Sequence, residues 1–304
     1  MSLMPMYVVI LNWNLKNDTI MCVESVLAAG VALDRIIVVD NGSTDGSVEA
    51  FAIHFSPALP VVRNAQNLGF AGGMNVGIQY ALAHGAASVL LLNNDTIIDS
   101  AMVTALLTAG QALNAAGILG PAIYHYDHPE QLWRLGDIRH RWLPMPLTIR
   151  WNARRSPGSA PLQVDYVTGC GMLVRREVFE QIGLFDTRYF MYFEDADFCR
   201  RTRDAGYTVW CVPEAKMWHK VSSTAQRDMP FNRYYRALNQ IRFYHEHPHG
   251  PVAVLCEAYI AVKLIKTTLG DLRRGDWGLV FPLWRGTMDG YREQWRSARL
   301  PKTR

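Results

Sequence analysis

The chain has 304 residues, of which 49% are hydrophobic and 19% charged, and a formal net charge of +4. That balance excludes an intrinsically disordered chain and gives room for one large α/β domain with an appended segment, or for two domains. The charge is uneven: residues 231–304 carry 13 Lys or Arg against 6 Asp or Glu, so the basic character belongs to the C-terminal quarter and suits an anionic surface, membrane or nucleic acid.

The start "MSLMPMYVVILNWN" lacks the basic n-region and small-residue cleavage site of a signal peptide. Cys22, Cys170, Cys199, Cys211 and Cys256 are odd in number and include no C-x-x-C pair, so neither a disulfide framework nor a zinc site is implied. A reducing cytosol is the expected compartment.

In chain order, "YVVIL" (7–11) predicts a strand, too short to span a bilayer. "DTIMCVESVLAAG" predicts an amphipathic helix ending at Gly30, and "RIIVVD" (35–40) a second strand. "GSVEAFAIHF" is helical, "PVVRN" (60–64) a third strand, and "AGGMNVGIQYALAHG" a helix that begins with small residues. "SVLLLN" (88–93) is a fourth strand, "SAMVTALLTAGQALNAAG" a helix and "ILGPAIY" a further strand. Continuous apolar strands between helices mean a mostly parallel sheet covered on both faces, with ligands at the carboxyl ends of its strands. Residues 124–163, with Tyr126, Trp133, Trp142, Trp151 and several prolines, break the rhythm and read as an irregular or β-rich insertion near the site. "QVDYVTGCGMLVRREVFEQIG" resumes as strand, glycine turn and helix, and the chain after Pro230 is helical.

Polar residues stand behind the apolar runs: Asn12 and Trp13, Asp40, Arg63 and Asn64, and "NND" at 93–95. Asp40 and Asp95 each follow four or five apolar strand residues and are read as functional, whereas Ser43 and Asp45 suit turn and helix-cap roles. In "NND" one carboxylate, Asp95, and the Asn93 amide oxygen could hold a divalent ion that keeps waters and diphosphate oxygens, which suits Mg²⁺. His219 in "KMWHKVSS" is either a further ligand or an ordinary packed histidine. The glycines of "GFAGGMN" (69–75) either let backbone approach a phosphate or let a helix pack closely on the sheet. No G-x-G-x-x-G follows the first strand and no G-x-x-x-x-G-K-[ST] occurs, which disfavours dinucleotide and P-loop readings.

"FMYFEDADFCRR" (190–201) sets Glu194, Asp195 and Asp197 behind an aromatic run. Acids suit a helix's first turn, so the stretch is either a helix start or a catalytic group. Together, "VVILNWN", "IIVVDNGSTDGS", "NLGFAGGMNVGI", "LLLNNDT", "VTGCGMLVRREVFEQIGLFD" and "FMYFEDADFCRR" resemble family 2 glycosyltransferases over about residues 6–225, and most of all their bacterial rhamnosyltransferase branch. The resemblance implies an α/β fold of GT-A type: a Rossmann-like, mostly parallel sheet flanked by helices, here with a helical C-terminal segment. The expected division is a catalytic domain over 1–230, its nucleotide half about 1–120 and its acceptor half about 121–230, and an extension over 231–304. The implied reaction is inverting transfer of a sugar, rhamnose in that branch, from a dTDP- or UDP-sugar to a hydroxyl of a saccharide or lipid-linked acceptor in cell-surface polysaccharide synthesis, with Mg²⁺ or Mn²⁺.

Carried over by position, Asp195 would be the base, with Glu194 beside it, and Asp95 would bind the metal, with Asn93 and His219 as further ligands. Asn12 and Asp40 would meet the nucleoside. Trp13, Asn41, Arg63, Asn67, Gly69, Gly73, Asn75 and Asn94 would complete the donor site, with Gly169 and Cys170 bordering the sugar. Asn93 departs from the Asp common in relatives. The aromatic run before Glu194 is expected to wall off Asp195, and Asp197 to cap its helix or to pair with Arg200 or Arg201. Two alternatives remain: a non-catalytic nucleotide-sugar-binding module, and a sugar-phosphate nucleotidyltransferase, which would need a basic glycine-rich loop. The C-terminal segment is expected either to meet the inner membrane face peripherally or to pack on the catalytic domain or on the mate in a homodimer. A nucleic-acid partner is not expected.

Overall fold

The computed structural model describes residues 5–55, 58–139, 146–148, 158, 160–220, 229–247 and 253–299. Trp142 and Trp151 of the expected insertion lie outside them. The elements are β1 (Met6–Asn12), α1 (Lys16–Ala28), β2 (Ile36–Asp40), α2 (Ser47–Phe55), β3 (Val61–Arg63), α3 (Gly69–Ala83), β4 (Ser88–Asn93), β5 (Thr96–Ile98) and α4 (Met102–Ala112). They continue with β6 (Ala116–His125), β7 (Leu132–Arg134), β8 (Asp137–Arg139), β9 (Pro146–Thr148), β10 (Leu162–Val164), β11 (Gly171–Arg175), α5 (Arg176–Ile182), α6 (Glu194–Asp204) and β12 (Thr208–His219). Three helices follow: α7 (Met229–Glu246), α8 (Ala253–Arg274) and α9 (Trp277–Arg299). The chain divides into two compact units: Met1–Ile138, Thr148–Phe190 and Glu194–Val221 form the first, and Arg139–Leu147, Met191–Phe193 and Ser222–Arg304 the second.

In the first unit the sheet runs β10-β12-β6-β11-β4-β1-β2-β3, with β5 on β12 and β7 on β6. Successive strand side chains point to opposite faces, and the apolar runs divide accordingly. Val8, Ile10, Ile36, Val38, Leu90 and Leu92 join the core under α1, α2 and α4. Val9, Ile37, Val39, Val89 and Leu91 join the core under α3, α5 and α6. All eleven are fully buried, each contributing about 1.5–3 kcal/mol of hydrophobic stabilisation. A strand covered on both faces must be apolar throughout, which is why these runs show no polar alternation.

The pairing sets the edge where polar groups collect. β1 is parallel to β2 and β4, and β2 to β3, so Asn12 stands opposite Asp40, Asp40 opposite Arg63 and Leu11 opposite Asn93. Beyond β4 the sheet is mixed. β11 is antiparallel to β4 and β6, so its first residue, Gly171, lies opposite Leu92 and the preceding turn sits at the same edge. β12 returns parallel to β6, which carries its last residue, His219, opposite Thr96 of β5. The sequence pattern gave no warning of β12, whose exposed Glu214 and Lys216 interrupt its apolar residues.

The second unit holds α7, α8 and α9. α9 lies along α7 so closely that a Cβ on Gly286 would come within 2.3 Å of the Tyr234 carbonyl oxygen. Tyr192 and Phe193 adopt left-handed backbone (φ 68° and 72°), a conformation that costs about 1–2 kcal/mol per non-glycine residue. Asn239 of α7 offsets this by donating to the carbonyls of Met191 (2.9 Å) and Tyr192 (3.1 Å), and Phe243 packs 5.6 Å from the Phe193 ring.

Candidate active site

At the parallel end of the edge, Asn12 is fully buried and joins three elements. Its Nδ2 donates to Asp40 Oδ1 (2.8 Å) and Ser43 Oγ (3.1 Å), and its Oδ1 accepts from Thr19 Oγ1 (2.7 Å). Asp40 is equally buried, and its second oxygen accepts the Ser43 N–H at 3.2 Å. Asn94 donates to Thr19 Oγ1 at 3.0 Å. Asn12, Asp40 and Asn94 therefore sit beneath the edge and support it, while Trp13, 45% exposed, and Arg63 stand at its surface.

Asn41 organises the next loop. Its Nδ2 donates to Asn67 Oδ1 and the Gly69 carbonyl, and its Oδ1 accepts from Asn64 Nδ2 and the Leu68 N–H. Asn67 Oδ1 also accepts the Gly69 N–H at 2.8 Å. Gly69 has φ +75°, and a Cβ there would lie 2.3 Å from the Phe190 carbonyl oxygen, so glycine is required on both counts. Gly73 takes the packing role, since a Cβ would lie 2.5 Å from Leu11 Cδ1. Asn75 bonds both the N–H and the carbonyl of Phe185, so both ends of its amide engage backbone.

The centre of the edge differs. His219 Nε2 lies 3.1 Å from Asp95 Oδ1, with both side chains nearly buried (11% and 7% exposed). The Trp133 ring covers the imidazole at 5.2 Å. His219 Nδ1 and Asn93 Oδ1 are buried and have no hydrogen-bond partner among the described residues. A metal shared by His219 and Asp95 would take Nε2, the nitrogen that faces that carboxylate, and Nδ1 would then carry the ring proton. No group of three His, Cys, Asp or Glu that could hold a metal occurs among the described residues. The protein's own donors are Asp95, His219 and the Asn93 amide, a set of acceptors that fits a divalent cation completed by phosphate and water.

Beyond them lies the acid pair. Asp195, in the first turn of α6, is partly exposed. Its Oδ2 accepts from Tyr166 Oη (2.7 Å) and the Gly169 N–H (2.9 Å), and its Oδ1 from the Ala196 N–H (2.8 Å). Burial and the Asp195 charge push the Tyr166 phenol well above its ordinary range, so it stays a donor. Glu194 is buried, and its Oε2 has no partner among the described residues. Burial, then the neighbouring Asp195 charge, raises its carboxyl well above the usual range. Arg134 stands by, its guanidinium 5.7 Å from the Tyr166 ring and 3.5 Å from Asp137. Burial opposes its charge, but Tyr166, Asp137 and Asp195 outweigh that and keep it cationic. Burial likewise pushes the Cys170 thiol up to about 12, so it borders the turn as a neutral group.

Within the second unit Met191–Phe193 engage α7 through Asn239 and Phe243, and the groups hydrogen-bonded to Asp195 are Tyr166, the Gly169 N–H and the Ala196 N–H. Asp197 pairs with Arg201 at 2.8 Å, while Arg200 turns to Asp204. Tyr166 and Arg134 escaped the sequence reading, which named Trp133 only as part of the insertion. The available signals were a hydroxyl just before the "TGCG" turn and a cation between Trp133 and a glycine turn inside the insertion.

The family model for glycosyl transferase family 2 matches residues 7–183. The N-acetylglucosaminyl-diphospho-decaprenol L-rhamnosyltransferase of Mycobacterium tuberculosis is 33% identical over 213 residues, covering 64% of this chain and 68% of its own length. The dTDP-rhamnosyl transferase RfbF of Shigella flexneri is 25% identical over 246 residues, covering 77% and 78%. Among solved structures, the mannosyltransferase PcManGT of Pyrobaculum calidifontis, in complex with GDP-Man and Mn²⁺, superposes with a TM-score of 0.58 at 15% identity over 95% of this chain and 87% of that one. GalNAc-T7 with UDP, GalNAc and Mn²⁺ gives 0.59 at 16% identity over 84% of this chain but only 54% of that one. At such identities these likenesses speak for the fold, a GT-A glycosyltransferase fold.

Proposed function

The chain belongs to glycosyl transferase family 2, and on that premise we propose that it transfers rhamnose, with inversion, from a dTDP- or UDP-sugar to a hydroxyl of a saccharide or lipid-linked acceptor. The names of the two rhamnosyltransferase relatives support the sugar and the lipid-linked acceptor. We assign catalysis to about residues 1–230 and treat 231–304 as an extension. The observation that carries the reading is that the Gly169 turn, whose N–H binds Asp195, and the Asp95–His219 pair belong to one sheet edge.

Asp195 takes the proton of the attacking hydroxyl. Tyr166 and the Gly169 N–H hold one of its oxygens, which fixes the carboxylate's direction at the moment of transfer. Glu194, buried and with its carboxyl raised well above the usual range by burial and the Asp195 charge, is not assigned as the base. Arg134 adds positive charge beside Tyr166 and counters the charge collected there. On the donor side Asp95, His219 and Asn93 would hold Mg²⁺ or Mn²⁺, which when bound neutralises charge developing on the departing diphosphate. Asn12, Asp40 and Ser43 form the floor on which Trp13 and the 41–46 loop meet the nucleoside.

A panel of nucleotide sugars, each with Mg²⁺ or Mn²⁺, is screened by thermal shift, because a bound donor stabilises by RT ln(1 + [L]/Kd). Transfer from the best donor is then followed in wild type and Asp195→Asn. A dTDP-sugar that stabilises and turns over supports the reading. Stabilisation without turnover on any acceptor would leave a binding module.

A further inference from the structure

The second unit carries a face that catalysis does not use. No described helix is long and apolar enough to cross a membrane, yet α8 and α9 expose many large apolar side chains. At about 3.6 residues per turn, Val254, Leu255, Val262, Ile265 and Leu269 fall within an arc of about 100° on α8, all exposed, Val254 by 77%. On α9, Trp277, Phe281, Trp284, Met288 and Trp295 fall within an arc of about 60°, with Trp277, Phe281 and Trp295 near 70% exposed. Trp284 Nε1 donates to Thr268 Oγ1 at 3.0 Å and Tyr291 Oη donates to Glu257, so the helices run antiparallel. Each of these contacts lies on the same rotational flank of its own stripe. Antiparallel helices turn in opposite senses for one viewer, so both stripes emerge on one side as a continuous surface. Patches beyond a few hundred Å² are rare on surfaces that face only water.

The rim of this surface identifies its partner. Lys266 and Arg273 border the outer edge of the α8 stripe, and Arg285 and Arg292 that of the α9 stripe. Asp289 pairs with Arg285 (3.7 Å) and Arg292 (3.2 Å), so the α9 edge keeps a net positive charge. A two-fold dimer built on this face would bring basic edge onto basic edge, which opposes association. Three tryptophans between basic rims match a bilayer interface, where indoles sit at headgroup depth and cations meet anionic lipid.

We infer that the α8–α9 face seats the protein on an anionic membrane surface. It rests on the proposed lipid-linked acceptor only for its purpose, and the two fail separately. The full chain is floated with phosphatidylglycerol–phosphatidylcholine vesicles and with phosphatidylcholine alone, at low and high salt. Co-flotation with the anionic vesicles at low salt, weakened by salt, is expected. Trp277→Ser with Phe281→Ser alters only exposed side chains and removes it. Lys266→Glu with Arg273→Glu lowers partitioning by roughly fivefold or more per charge removed. Absence of low-salt flotation, or flotation indifferent to the aromatic pair, overturns the inference. So does a dimer in sedimentation velocity that the aromatic pair dissociates while flotation is absent. Transfer to a soluble acceptor is measured in parallel: lost flotation with intact turnover strikes only the membrane surface, and lost turnover with intact flotation only the transfer reading.

Discussion

The two ends of the polar sheet edge are built on opposite principles. At the parallel end, Asn12, Asp40, Ser43 and Thr19 satisfy one another, and the Asn41 amide is satisfied by Asn64, Asn67, Leu68 and Gly69. At the mixed end, Asn93 Oδ1, His219 Nδ1 and Glu194 Oε2 are buried without a partner among the described residues. Buried polar atoms nearly always find partners, because each orphan costs about 1–3 kcal/mol. A saturated network therefore reads as scaffold, and a cluster of orphaned polar atoms as the place kept for a ligand. Asp40 lies within the saturated network, its oxygens taken up by Asn12 and Ser43, and the proposed ligand site lies at the mixed end, beside Asn93 and His219.

The largest test sits at the mixed end. Asp195→Asn keeps shape and removes the base, so single-turnover transfer should fall by roughly 10²–10⁴ while donor affinity holds. Transfer near the wild-type rate would make the acids of α6 a helix start and nothing more. At the parallel end, Asp40→Ala strands the Asn12 amide and the Ser43 N–H, so urea denaturation should show a loss of about 1–3 kcal/mol for each group left unsatisfied. An unchanged midpoint with weakened nucleotide binding would put Asp40 at the ligand after all and dissolve the contrast.

His219→Ala should raise the metal concentration for half-maximal activity by at least the roughly 10–100-fold that loss of a supporting partner costs. Activity indifferent to chelator would remove the metal from the reading. The smallest effect concerns Glu194. The unfolded chain releases this proton near pH ~4.3, whereas the folded protein retains it well above that. Over the interval the folded state binds the extra proton, so this group's contribution is fully present below the unfolded value and is lost as pH rises toward the folded one. Stability of wild type relative to Glu194→Gln should therefore decline from about pH 4 upward. Parallel stability curves for the two proteins would show that Glu194 is not held protonated.

The sequence by itself determined the layered α/β fold and the placing of Asn12, Asp40 and Asp95 at or just after strand ends, while leaving the acids of 194–197 open between a helix start and a catalytic group. Fold and placing follow from local causes: apolar runs long enough for strands, helical spacing between them, and a family resemblance carried by contiguous blocks. What it could not decide were contacts between elements distant in the chain, 124 residues apart for His219 and Asp95 and 29 for Tyr166 and Asp195. His219 reaches Asp95 because β12 runs parallel to β6 and pairs with β5, and Tyr166 reaches Asp195 because the Gly169 turn lies against the start of α6. Nor does a strand-end acid announce which neighbours will take up its oxygens, as Asn12 and Ser43 do for Asp40. Helical spacing gives the apolar arcs of α8 and α9, but only their antiparallel seam puts both on one side. Local propensity acts over one turn or one strand, whereas hydrogen-bond saturation and surface continuity belong to elements that only folding brings together.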